Sequence, residues 1–217
     1  MSDGILITFE GIEGSGKTHH AGRLVEYLNR SGRKAILTHE PGGTSVGSKI
    51  REIFLNPYLE LHPRTELFLV LADRAQHVAE KLKPALARGE IVVSDRYVDS
   101  TTAYQGYGRG FYFSENVLET LNNLAGEGLV PDLTILLDCP VELGLARARN
   151  RTGDEGGELD RFELETVEFH ARVREGFLTI ASRCADRIKV IKSDAPPDVV
   201  HREIVTLVED FLRTRCR

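Results

Sequence analysis

Eight consecutive residues, Gly11-Ile12-Glu13-Gly14-Ser15-Gly16-Lys17-Thr18, place two glycines, a lysine and a hydroxyl at the spacing G-x-x-x-x-G-K-S/T. Glycines at such positions let successive backbone N–H groups turn inward around phosphate oxygens, and a helix beginning there adds its partial positive charge. Lys17 then reaches the β and γ phosphates of a bound triphosphate, and the Thr18 hydroxyl is a ligand for Mg²⁺. A second group, Asp95-Arg96-Tyr97, brings a carboxylate that can hold Mg²⁺ or orient an acceptor, beside a planar guanidinium suited to a bidentate phosphate clamp. A third group, Arg147, Arg149 and Arg151, lies just before the glycine- and acid-rich segment 153–157. Phosphoryl transfer needs alignment and positive charge around three equatorial oxygens, and arginines beside a mobile segment are a usual source of that charge. A guanine switch is disfavoured. Its Asn-Lys-x-Asp is replaced after the fourth strand by Cys139-Pro140-Val141-Glu142, and the Asp154 to Gly157 pattern follows no strand.

These groups need a scaffold that brings the ends of different strands together. Short β-rich runs alternate with helical stretches along the chain, with no repeat and no long linker, which predicts an α/β fold around a parallel sheet. Five strands are expected, at Ile5 to Glu10, Ala35 to His39, Ile91 to Asp95, Leu133 to Asp138 and Ile188 to Lys192. Ala21, Leu24, Val25 and Leu28 have helical spacing after the first strand, as do Val200, Ile204, Leu207, Val208 and Phe211 near the C-terminus, and both faces should cover the sheet. The cradle follows the first strand and Asp95-Arg96 closes the third, so both sit at the carboxyl edge, where open α/β sheets bind ligands. Stretches 41–43, 106–110 and 153–157 are too rich in glycine to pack a core and read as functional loops.

The 217 residues, 41% hydrophobic, suit one domain spanning 1–217, and the net charge of −5 argues against nucleic acid as a partner. Cys139, Cys184 and Cys216 lack the spacing of zinc or redox pairs. No run is long enough to span a membrane and no leader precedes the first strand, so a cytoplasmic location is expected.

Beyond the cradle, the sequence resembles bacterial thymidylate kinases over essentially its whole length. The blocks that carry the likeness are Phe9-Glu10-Gly11, Glu40-Pro41-Gly42-Gly43-Thr44, Ala72-Asp73-Arg74-Ala75-Gln76, Asp95-Arg96-Tyr97, Ser100 to Gly106, Leu159-Asp160-Arg161-Phe162-Glu163 and Phe169-His170-Ala171-Arg172-Val173-Arg174. The resemblance implies a three-layer P-loop nucleoside monophosphate kinase fold, ATP with Mg²⁺ as donor, thymidine monophosphate as acceptor, and a homodimer. It implies that Arg51 and Arg96 grip the acceptor phosphate with Glu40 and Pro41 near the pocket, and that Arg74 hydrogen-bonds the thymine edge. Tyr104 packs on the sugar, Ser100, Thr101 and Gln105 complete the polar contacts, and Glu163 joins Thr18 and Asp95 near the metal.

One departure is visible. The family usually has a phenylalanine stacked on the base four residues before Arg74, and here that position is Val70, a loss of roughly 0.5–1.5 kcal/mol of stacking. The family's members that lack an arginine after the P-loop acid place the catalytic arginine in the lid, and Glu13-Gly14 matches that subgroup. Lys17, Asp95 and Arg96 are then the fixed catalytic groups. The lid is expected at about 147–160, with Arg149 as the donor to the transition state and Arg151 as the second choice. If the helix persists through 151, Arg147 and Arg151 share a face and Arg149 points away. Two other readings stay open, a P-loop kinase for another monophosphate and a nonenzymatic nucleotide-gated module.

Overall fold

Continuously apolar runs become strands where helices cover both of their faces. The computed structural model describes residues 4–110, 115–154 and 158–215; the three inner strands are such runs, and the strands are β1 Ile5–Glu10, β2 Ala35–His39, β3 Ile91–Asp95, β4 Leu133–Asp138 and β5 Ile188–Lys192, with β2 and β5 partly exposed. Their bounds coincide with those read from the sequence. All pair in parallel, in the order β2-β3-β1-β4-β5. The helices of the described residues are α1 Lys17–Arg30, α2 Ser45–Leu55, α3 Pro63–His77, α4 Lys83–Ala87, α5 Val98–Thr101, α6 Glu115–Gly126, α7 Val141–Asp154, α8 Val167–Arg183 and α9 Pro197–Arg215. Two π-helical stretches, Val78–Leu82 and Thr102–Gly108, continue α3 and α5.

Alternation along β1 splits the core into layers. Ile7 and Phe9 face α1 and α9, where Leu24, Leu28, Ile204 and Val208 close the packing. Leu6 faces the opposite side with Val78, Leu82 and Ala85. A third cluster, which includes Val70, Tyr104, Phe162, Phe169, Val173 and Phe177, joins α3, the second π-helical stretch and α8. Among the described residues no helix is long and apolar enough to cross a membrane.

Two expectations change. The stretch 106–110 is not simply a loop, because Gly106 and Gly108 lie within the π-helical turns of 102–108. A Cβ on Gly108 would come within 2.8 Å of Phe169 and Val173, so glycine here permits close packing on α8. Of the stretch 153–157, Gly153 lies in the last turn of α7, and residues 155–157 are outside the described residues, as is Cys216.

Candidate active site

The cradle begins where β1 ends. Gly11, Gly14 and Gly16 have φ of 141°, 67° and 95°, values that side chains rarely allow, and a Cβ on Gly14 would fall 1.9 Å from the Gly144 carbonyl oxygen. Gly16 starts α1 with no side-chain cap, so the helix end is left for an anion. Lys17 donates to the Ile12 carbonyl at 2.7 Å, a contact that folds its ammonium over the loop of Ile12, Glu13, Gly14 and Ser15. Burial, reinforced by the nearby Arg96 charge, lowers the Lys17 pKa to about 8. Register pairs Asp95 at the end of β3 with Phe9 and His39, which sets its carboxylate beside the cradle. The Thr18 hydroxyl donates to Asp95 Oδ2 at 2.5 Å, and Asp95 Oδ1 is buried with no partner.

Arg96 is the hub of the next shell. It sits at φ 73°, a strained conformation for a side chain, and its own hydrogen bonds hold it there. Nη1 donates to the Gly11 carbonyl and Ser100 Oγ, both at 3.1 Å, while Nη2 donates to Glu13 Oε1 at 2.8 Å and Tyr104 OH at 3.0 Å. The guanidinium also lies over the Tyr104 ring, 4.8 Å from its centroid. Tyr104 donates to both Glu13 oxygens, at 2.6 and 2.7 Å. Burial raises the Glu13 carboxyl, but His170, Arg96 and Lys17 overcome that and hold it well below the usual range, so Glu13 is ionised. Behind the turn, Glu10 accepts from the Tyr97 N–H at 2.8 Å and touches Ser100 Oγ at 2.6 Å.

A cavity of about 330 Å³ opens from the cradle. Its wall includes the expected Glu13, Gly14, Lys17, Thr18, Glu40, Pro41, Arg51, Val70, Arg74, Asp95, Arg96, Ser100, Thr101, Tyr104, Gln105, Arg151 and Glu163. Arg51 donates to the Pro41 carbonyl at 2.9 Å. Burial and the neighbouring Arg96 charge lower its pKa, as expected for two guanidiniums converging on one space. Arg74 is 2% exposed. It donates through Nε to Glu40 at 2.9 Å and through Nη1 to Asn122 at 2.6 Å, and it lies 5.0 Å from the Tyr97 ring centroid. Glu40 also contacts His77 Nδ1 at 2.8 Å, and Thr38 closes that chain at His77 Nε2. Asp73 accepts from the Gly42 N–H at 2.9 Å and fixes the loop that carries Pro41.

Helix α7 does persist through residue 151. Arg147 turns to the Ser193 carbonyl at 2.8 Å, Arg151 reaches the cavity and donates to Glu163 at 2.7 Å, and Arg149 is exposed on another side. Of the two, both exposed, Arg151 is the one that lines the cavity. Glu163, expected near the metal, lies in the same wall, its Oε1 accepting from Arg151 and its Oε2 from the Asp160 N–H at 3.1 Å. Gln105 gives its amide to the buried Glu66 at 2.7 Å while lining the cavity. Sequence reading assigned no role to Glu10, Asp73 and His170, although each lies in a quoted block, and nothing in the sequence flagged Asn122.

The residues at the cradle suit a divalent ion of the magnesium type. Thr18 and Asp95 are hard oxygen donors, and the unpartnered Asp95 oxygen is an open acceptor. No cluster of three or more His, Cys, Asp or Glu able to hold a metal occurs among the described residues.

A parallel five-stranded sheet with a phosphate cradle after its central strand and an arginine-walled cavity beside it defines a P-loop nucleoside monophosphate kinase. The thymidylate kinase family model matches residues 9–204. The chain belongs to the thymidylate kinase family. It is 49% identical over 206 residues to thymidylate kinase of Carboxydothermus hydrogenoformans, covering 95% of this chain and 97% of that protein. It is 48% identical over 212 residues to that of Maridesulfovibrio salexigens, covering 96% and 97%. The crystal structure of thymidylate kinase from Ehrlichia chaffeensis superposes with a TM-score of 0.76 at 33% identity, over 95% of this chain and 99% of that one.

Proposed function

We propose that this chain transfers the γ-phosphoryl group of ATP to thymidine monophosphate, giving ADP and thymidine diphosphate. The observation that carries the reading is that Lys17, Thr18, Asp95 and Arg96 wall the same cavity as Arg51, Arg74 and Tyr104, so a donor at the cradle and an acceptor in the cavity would meet at Arg96. Backbone amides of residues 11–18 and Lys17 hold the donor phosphates. Thr18 and Asp95 hold Mg²⁺, which when bound offsets charge on the transferring group. Arg51 and Arg96 grip the acceptor phosphate, Arg74 meets the base, and Tyr104 closes on the sugar with Ser100, Thr101 and Gln105 around it. Lid arginines supply the last positive charge, and Arg151 fits that role better than Arg149 because it already reaches the cavity.

The chain acts as a single kinase domain, 1–217, with a lid at about 147–160 and the lid-arginine arrangement. Its setting is the cytoplasm, in keeping with the free thiols of Cys139 and Cys184, and neither nucleic acid nor membrane is a partner. It works as a homodimer. The candidates for the contact are Phe68 on α3 and Leu124 on the adjacent α6, 60% and 75% exposed. Sedimentation of Phe68→Lys should show monomer where the parent is dimeric; a parent that sediments as monomer ends the idea.

The test of activity is a coupled ADP-release assay with each natural nucleoside monophosphate in turn. Turnover is expected to be fastest with thymidylate. Turnover with none, or preference for another base, overturns the reading.

A further inference from the structure

Two hydrogen bonds meet on one peptide unit in the wall of the cavity. The Pro41 carbonyl accepts from Arg51 Nη1 at 2.9 Å, and the N–H at the other end of that same peptide, on Gly42, donates to Asp73 Oδ1 at 2.9 Å. A planar peptide points its N–H and C=O in opposite directions, so the acceptor that fixes one end fixes the aim of the other. Gly42 has φ of 120°, and a Cβ there would come within 2.9 Å of Arg51 Cδ and of His39 Nε2. Glycine thus lets the Arg51 stem pass close to the loop, but it leaves the peptide before it free to rotate, and the orientation must come from hydrogen bonds. Asp73 supplies that restraint from α3, where it is 0% exposed and lines the cavity.

We propose that Asp73 is a positioning residue for Arg51, acting through the peptide between Pro41 and Gly42. The inference rests on the reading of Arg51 as a grip on the acceptor phosphate. Arg51 stands among the charges of Arg96, Asp160, Asp95 and Asp73. With the Pro41 carbonyl turned away, its guanidinium would be drawn to Asp95 or Asp160. Held at Pro41, it keeps N–H groups for an anion in the cavity that it lines. An acceptor atom is all that the role needs. Asp73 Oδ2 is buried with no hydrogen bond, so an amide in place of the carboxylate keeps Oδ1 for Gly42 and gives up no other hydrogen bond.

The test compares binding of thymidine monophosphate with binding of thymidine, which has the base and sugar without the phosphate, in the full chain and in Asp73→Ala and Asp73→Asn. Asp73→Ala should weaken thymidine monophosphate about tenfold or more, the scale of a lost charge-assisted hydrogen bond, and leave thymidine within about twofold. Asp73→Asn should bring thymidine monophosphate back to within a few-fold of the parent. Adding Arg51→Ala to Asp73→Ala should cost little beyond Arg51→Ala alone. Equal losses for both ligands, no rescue by asparagine, or additive losses overturn the proposal. In ¹⁵N NMR of the ligand-free chain, Asp73→Ala should shift both the Gly42 amide and the Arg51 guanidinium signals, and Asp73→Asn should keep them near the parent. Arg51 signals untouched by Asp73→Ala overturn the proposal even where thymidine monophosphate is the acceptor. A parent that binds no nucleoside monophosphate refutes the functional reading and leaves these signals to decide the role of Asp73. Should Asp73→Ala not fold, Asp73→Ser, whose shorter hydroxyl stops short of the Gly42 N–H, carries the same expectations.

Discussion

At the scale of single residues, the two lid arginines differ in what they can touch. Both are exposed, but Arg151 lines the cavity and pairs with Glu163, while Arg149 lies outside the cavity wall. Arg151→Ala should lower kcat by about 10²–10³ with little change in the thymidylate KM, the scale of a lost transition-state donor, and Arg149→Ala should stay within a few-fold. Steady-state kinetics of both variants check this, and the opposite ranking would return the role to Arg149. Val70, 9% exposed, lies in the cavity wall near Arg74, so the position expected for the base-stacking ring does face the pocket. Val70→Phe should lower the thymidylate KM by about two- to tenfold through the added stack, and an unchanged or raised KM would remove this position from the base site.

At the scale of elements, one buried carboxylate joins three segments. Glu66 on α3 accepts from Gln105 at 2.7 Å and from Arg161 at 2.7 Å, and it pairs with Arg109 at 2.9 Å. Arg161 also lies over Phe54 and Phe162. Losing the charge leaves the largely buried Arg161 without its carboxylate, while Arg109 keeps only Glu165, so Glu66→Gln should destabilise the fold by about 3–5 kcal/mol, and a denaturant titration within about 1 kcal/mol of the parent would contradict the account. The strands were legible in sequence because the three inner ones are short apolar runs buried along their length and the two edge strands, β2 and β5, are short β-rich runs of the same size. The cradle was legible because its residues are contiguous. Glu66 was not, since its partners lie 39, 43 and 95 residues away and their pairing is set by packing. The anchoring of Arg74 was hidden for a related reason. A helix that passes between the sheet and its neighbours has a polar residue on its inner side wherever Glu40 and Asn122 can receive it. The helical state of 102–108 was hidden because glycine suggests a loop unless the bulk of Phe169 opposite is known.

At the scale of the whole molecule, burial of charge under the site links stability to pH. Glu10 is fully buried at the end of the central strand, and burial followed by the Asp99 charge pushes its pKa from 4.5 up to about 8. The folded state keeps a proton that the unfolded chain loses above about 4.5, so the Glu10 contribution to stability falls as pH rises from about 4.5 to 8 and is constant beyond. Glu10→Gln preserves an acceptor for Tyr97 and a polar contact with Ser100 without the ionisation. The variant should gain on the parent in unfolding free energy across that window, and parallel pH profiles would show that Glu10 titrates normally. The same turn carries Arg96, so the energy of holding a neutral acid there is spent on geometry that the cradle and the cavity share.

The most direct test of that shared geometry follows the label from γ-³²P ATP in a single turnover with excess enzyme, Mg²⁺ and thymidine monophosphate. The account predicts label in thymidine diphosphate, with Lys17→Ala slowing its appearance severely. Label released as inorganic phosphate, or left in ATP while the protein is folded and saturated, would contradict it.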